Sequence, residues 1–177
     1  MVWTGSEYIV WGGEKPSEGT WHGTGAAFDP SQARWRDLAP SPLAPRSEHA
    51  FVWTGTEVLI CCGRQVGSGA SAGAYEPATD TWRVIAQPPI SPNFAEFTPS
   101  YAEAVWTGTE MIVFGGVSAG GVRNLQAAAA YDPGTDSWRT LADLPYGLER
   151  QAEAVPGQGV IYAWPSFVRR GETNAPL

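Results

Sequence analysis

Tyr131-Asp132-Pro133-Gly134-Thr135-Asp136-Ser137-Trp138 decides how this chain is read, because its frame recurs. Phe28-Asp29-Pro30 with Trp35, and Tyr75-Glu76-Pro77 with Trp82, repeat it, and each Trp falls seven residues after the aromatic. Working outward, a glycine pair or its variant precedes each block: Gly12-Gly13, Cys62-Gly63 and Gly115-Gly116. Further upstream stand Trp3-Thr4-Gly5, Trp53-Thr54-Gly55 and Trp106-Thr107-Gly108, with the second residue of each pair ten after the Trp. The triplets start 50 and 53 residues apart, and the drift lies after the glycine pair and between copies. Rigid blocks joined by elastic gaps at such a period mark stacked repeats.

Each copy reads as four short antiparallel strands. The first ends in the Trp-Thr-Gly triplet, as in Ala50-Phe51-Val52-Trp53, and Thr54 to Glu57 then turns the chain. The second strand is apolar throughout: Tyr8 to Trp11, Val58 to Cys61 and Met111 to Phe114. Such runs belong to strands buried on both faces. The third strand is small and then aromatic, as in Ala26-Ala27-Phe28. Alanines 127–130 align with it, which argues strand rather than helix. The Pro-containing turn follows, and the fourth strand begins at Trp35, Trp82 or Trp138.

A glycine pair after an apolar strand, then Tyr-Asp-Pro-x-Thr-Asp-x-Trp and Leu-x-x-Leu-Pro, resembles the Kelch repeat of β-propellers over residues 1 to 164. The resemblance implies an all-β Kelch-type β-propeller segment: three four-stranded antiparallel blades and part of a fourth. Blade 1 is expected over about 1–40, blade 2 over 46–88, blade 3 over 100–145 and the partial blade over 150–164, with a tail at 165–177. Propeller rings need roughly four to eight blades. The expectation is therefore a piece of a longer propeller, a ring closed by a homodimer, or an open arc. Cys62 departs from the pattern and is expected to cost local backbone freedom without breaking its blade.

The formal charge is −7, and of eleven basic residues only Lys15 is a lysine. Nucleic acid and anionic membrane are therefore poor partners for the surface as a whole. No apolar run approaches the roughly 18 residues of a membrane helix. The Arg, Ala, Gly and Pro bias suggests a bacterial gene. No signal peptide is visible at Met1-Val2-Trp3. The chain starts inside a repeat, so a leader is not excluded and the compartment stays open.

His22 and His49 are the only histidines, and neither sits at metal-ligand spacing, so no metal or cofactor is expected. The resemblance extends in principle to galactose-oxidase-like propellers, but no ligand motif of theirs can be placed here. Gly69 to Gly73 and Gly116 to Gly120 match a serine-nucleophile pattern by chance, since no helix follows either. Cys61 and Cys62 read as inert core thiols. No catalytic set emerges.

The resemblance implies binding at the face where the connections between strands two and three, and between strands four and one, gather. The candidates there are Arg46, Ser47, Glu48, His49, Arg64, Gln65, Arg123, Asn124 and Arg150. The arginine fork suits carboxylates, and Trp21, Phe94 and Phe97 offer stacking surface. The leading reading is a non-catalytic module that binds a protein segment, small molecule or carbohydrate. Two alternatives stand beside it. One is a fragment of a sugar-acting propeller similar to sialic-acid mutarotases, using Glu48, His49 and Arg46; the other is a truncated product without independent function.

Overall fold

The structure, a computed structural model, describes residues 1–66, 71–89, 100–117 and 126–144, and the backbone of 152–154 and 161–163. Blade 1 comprises β1 (Val2–Trp3), β2 (Tyr8–Trp11), β5 (Gly25–Asp29) and β6 (Arg34–Asp37), paired in that order. The hairpin β3 (Glu14–Lys15) with β4 (Thr20–Trp21) stands in its second-to-third connection. Blade 2 contains β8 (Ala50–Trp53), β9 (Val58–Cys61), β11 (Ala72–Glu76) and β12 (Thr81–Val84), and a separate pair joins β7 (Arg46–Ser47) to β10 (Arg64–Gln65). Blade 3 holds β13 (Glu103–Trp106), β14 (Met111–Phe114), β15 (Ala128–Asp132) and β16 (Ser137–Thr140). The hairpin β17 (Ala152–Ala154) with β18 (Ile161–Ala163) begins the fourth. Among the described residues every strand pairing is antiparallel. The small pairs β3–β4 and β7–β10 fall where the sequence pattern indicates only loops.

The Trp-Thr-Gly triplet earns its recurrence at the first turn. Thr4 Oγ1 accepts the N–H of Glu7 at 3.1 Å and donates to its carbonyl at 3.0 Å, and Thr54 with Glu57 and Thr107 with Glu110 repeat this. The intervening glycines hold φ between 101° and 104°, where a side chain would be strained. Cys62 holds φ 66°, close to the 71° of Gly12 and 68° of Gly115. That conformation costs a non-glycine residue about 1–2 kcal/mol, and the blade around it is nevertheless complete.

First strands lie innermost: β1 runs beside β8, β8 beside β13 and β13 beside β17. Outward from them, the apolar second strand of blade 2 serves two interfaces. On β9, Val58 and Ile60 join Ile9, Trp11 and Ala27 of blade 1, whereas Leu59 and Cys61 join Met111, Val113 and Tyr131 of blade 3. All four β9 side chains are fully buried, which is why the run carries no polar alternation.

Polar groups then bolt adjacent blades together. Arg36 of β6 grips both oxygens of Glu7 at 3.2 and 3.0 Å and donates to the Tyr75 hydroxyl of the next blade at 3.1 Å. That hydroxyl donates to Asp80 Oδ1 at 2.6 Å, which also accepts the N–H of Ala39 at 3.0 Å. The Trp82 indole N–H reaches back to the Ala39 carbonyl at 2.9 Å. Arg83, Glu57, Tyr131, Asp136, Ala86 and Trp138 repeat the arrangement between blades 2 and 3. Burial, then the bond to Asp80, pushes the Tyr75 hydroxyl up to about 12.

The outward face of blade 1 differs. Phe28 and Ala33 stand where Tyr75 and Asp80 stand in blade 2, so neither half of that bridge can form there. The cross-strand row Trp3, Tyr8, Phe28 and Trp35 lies on this face, and Trp35 is 56% exposed. Tyr75→Phe imports blade 1's residue into blade 2. It is expected to lower stability by about 1–2 kcal/mol in urea unfolding, while Tyr8→Phe on the open face shifts it by less than about 0.5 kcal/mol.

Candidate functional site

Second strands end, and third strands begin, at the end of the blades where the longer connections gather. There β7 is the organising element. Its Arg46 N–H donates to the His22 carbonyl at 3.2 Å, its Arg46 carbonyl accepts from Gly13 at 2.7 Å, and its other side pairs with β10. His22 in turn donates to the Gly13 carbonyl at 2.9 Å. The loops of blades 1 and 2 are thereby joined through backbone, which brings Trp21 of β4 up to Arg64 of β10.

The side chain of Arg46 does not reach that surface. It is fully buried, and its guanidinium donates to the carbonyls of Ala44 at 3.1 Å, Cys62 at 3.1 Å and Ser71. Burial draws its pKa below the ordinary arginine value, although an arginine stays charged. Its role in the structure is to pin the loop backbone, so the expectation that its fork meets a ligand carboxylate is corrected here. The cause is geometric: its carbonyl partners come from three separate segments, and a sequence motif cannot show that convergence.

Arg64 does reach the surface. Its guanidinium carbon sits 5.0 Å from the ring centre of Trp21, and its Nη1 lies 3.8 Å from Glu48 Oε1. The Arg64 side chain is 53% exposed against 11% for Glu48. Glu48 adopts φ 57°, and its carbonyl accepts the N–H of Tyr101 at 3.0 Å. Its Oε2 is buried without a hydrogen-bond partner among the described residues, as are Ser47 Oγ, His49 Nδ1 and Trp11 Nε1. Gln65 pairs with Arg46 in register and is exposed.

His49 packs edge-on against Trp11 and Phe51, with ring centres 5.4 and 5.6 Å apart. Burial, and next the Arg46 charge, lower its pKa to about 4. Glu48, His49 and Arg46, grouped in the sugar-acting alternative, are therefore an ion-pairing carboxylate, a neutral ring in an aromatic slot and a buried staple. At the same end of blade 1, a cleft of about 570 Å³ is bordered by Trp11, His22, Thr24, Asp37 and Leu38. Cys61 and Cys62 are buried with their Sγ atoms 2.9 Å apart, and burial pushes the Cys61 thiol up. Arg123, Asn124, Arg150, Phe94 and Phe97 lie outside the described residues. In the sequence Trp21 reads only as stacking surface; its place beside Arg64 depends on the β4 to β7 backbone link, which leaves no mark in the motif spacing.

Three curated relatives are similar to this chain. Kelch-like protein 25 of Xenopus tropicalis is 29% identical over 121 residues, covering 68% of this chain and 19% of its own. Kelch-like protein 35 of Mus musculus is 28% identical over 123 residues, covering 69% and 19%. An F-box/kelch-repeat protein of Arabidopsis thaliana is 24% identical over 170 residues, covering 73% and 34%. The repeats are similar to the Kelch repeats for which these relatives are named. No protein-family model matches the chain. The chain spans about a fifth of the length of the two Kelch-like relatives and about a third of the F-box relative. All three are eukaryotic, so the bacterial and galactose-oxidase-like associations gain no support from them.

The His49 environment gives a pH signature. Its native pKa of about 4 lies below the ordinary 6.5, so the unfolded chain takes up the proton first as pH falls. The stability it contributes is complete above about pH 6.5, declines toward pH 4 and levels off below that, for a loss of about 3 kcal/mol. Urea midpoints at about pH 7 and pH 4.5 should diverge in the native chain. In His49→Gln that difference should shrink markedly.

Proposed function

We propose that this chain is a non-catalytic Kelch-repeat binding module that holds a protein segment where Trp21, Glu48 and Arg64 meet. One observation carries the reading. A half-buried aromatic and an exposed guanidinium stand beside a carboxylate whose second oxygen is buried and has no hydrogen-bond partner among the described residues. The Kelch relatives support a module of the interaction type. A rigid blade end carrying adaptable side chains suits recognition better than bond making, since Arg46 and His49 are committed to the fold.

A second contact follows from a separate observation. The exposed Trp3, Tyr8 and Trp35 form a flat apolar face of the kind that other blades of this chain cover. This face takes a further blade, from a second copy or a longer ring. Light scattering on a sizing column should give a mass above one chain, falling on Trp35→Glu.

Linear peptides selected from a displayed random library against the whole chain test the main site. Trp21→Ala should weaken selected peptides by about tenfold or more, while Trp35→Ala on the outward face leaves them unchanged. Binders indifferent to Trp21, or a library that yields none, would remove the assignment.

A further inference from the structure

The same site also indicates the chemistry of its ligand, an indication that rests on the proposed binding role. Two of the site's components, Trp21 and Glu48, are receptors for positive charge. An indole face attracts a cation placed over it, and guanidinium stacks there with particular ease. A carboxylate only accepts hydrogen bonds, and Glu48 Oε2 is buried with none to accept among the described residues.

Arg64 occupies the receptor without completing it. Its guanidinium stands over Trp21, yet its approach to Glu48, at 3.8 Å, is too long for a hydrogen bond. More than half of its side chain faces solvent. A pair held at that distance by a guanidinium half in solvent makes no hydrogen bond and is partly screened, so Arg64 is easily displaced. The other nearby charges do not reverse the sign. Arg46 is buried among carbonyls, burial keeps His49 neutral at ordinary pH, and Lys15 is paired with Glu18. The chain as a whole carries −7, which steers basic partners toward it.

We infer that Trp21 and Glu48, the two groups that flank Arg64, recognise an arginine side chain of the partner segment, with Arg64 as the internal stand-in that the partner's guanidinium displaces. This reverses the expectation that arginines here grip an acidic ligand. It also makes an unusual demand on Arg64: removing it should strengthen binding, because the competing occupied state disappears.

The probe is a capped Gly-Arg-Gly peptide, with capped Gly-Asp-Gly as its counterpart, added to the whole chain labelled with ¹⁵N at its indoles. The reporter is the Trp21 indole resonance, assigned by its loss in Trp21→Phe. The arginine peptide should shift that resonance saturably and the aspartate peptide should not. Arg64→Ala should tighten the arginine peptide by about threefold or more, and Glu48→Gln should weaken it by about tenfold. Because Glu48 has an unusual backbone angle, the Arg64→Ala result on its exposed side chain stands even if Glu48→Gln does not fold. A shift by the aspartate peptide that Arg64→Ala abolishes would overturn the cation assignment while leaving a binding site at Trp21. No shift by the arginine peptide in either the native chain or Arg64→Ala overturns it too, and the displayed library then decides separately whether the site binds peptides at all.

Discussion

Two-sided burial of the second strand is the constraint on which this structure depends. A strand such as β9, with Val58 and Ile60 on one face and Leu59 and Cys61 on the other, cannot be satisfied by its own sheet. Burying each such side chain contributes about 1.5–3 kcal/mol, and that gain exists only when a blade lies on either side. Stacking is therefore the condition of folding for each repeat. The polar bridge from Arg36 through Tyr75 to Asp80 adds less energy than burial, but it is directional and fixes how far one blade slides over the next.

The binding end inherits its geometry from that stacking. With blades 1 and 2 locked, the hairpin carrying Trp21 and the strand carrying Arg64 are held against opposite sides of β7. Arg46, buried beneath them, ties the backbone of three segments together and so acts on the site by positioning. A charged group serving the fold from inside, with a second arginine exposed above it, divides between them the two jobs that the sequence motif alone would assign to either.

The repeat frame was legible because it is local. The turn at Thr54, the aromatic of the third strand and the Trp of the fourth occupy fixed positions that single side chains dictate. Which face of blade 1 is open was legible too, in Phe28 and Ala33, but only once the Tyr75 bridge showed what those positions do. The site was less legible. Arg46 and Arg64 look alike in sequence, and their opposite fates depend on carbonyls from Ala44, Cys62 and Ser71 that converge only in the folded chain. Trp21 and Glu48, 27 positions apart, both come up to Arg64 only because backbone bonds across blades bring their loops together.

Native-state hydrogen exchange, read amide by amide, tests the central claim most directly. If two-sided burial holds the array together, the amides of β9 exchange most slowly, and those of β2, whose Tyr8 faces solvent, exchange well before them. Equal protection of β2 and β9 would contradict the account, because each blade would then be stable without its neighbours.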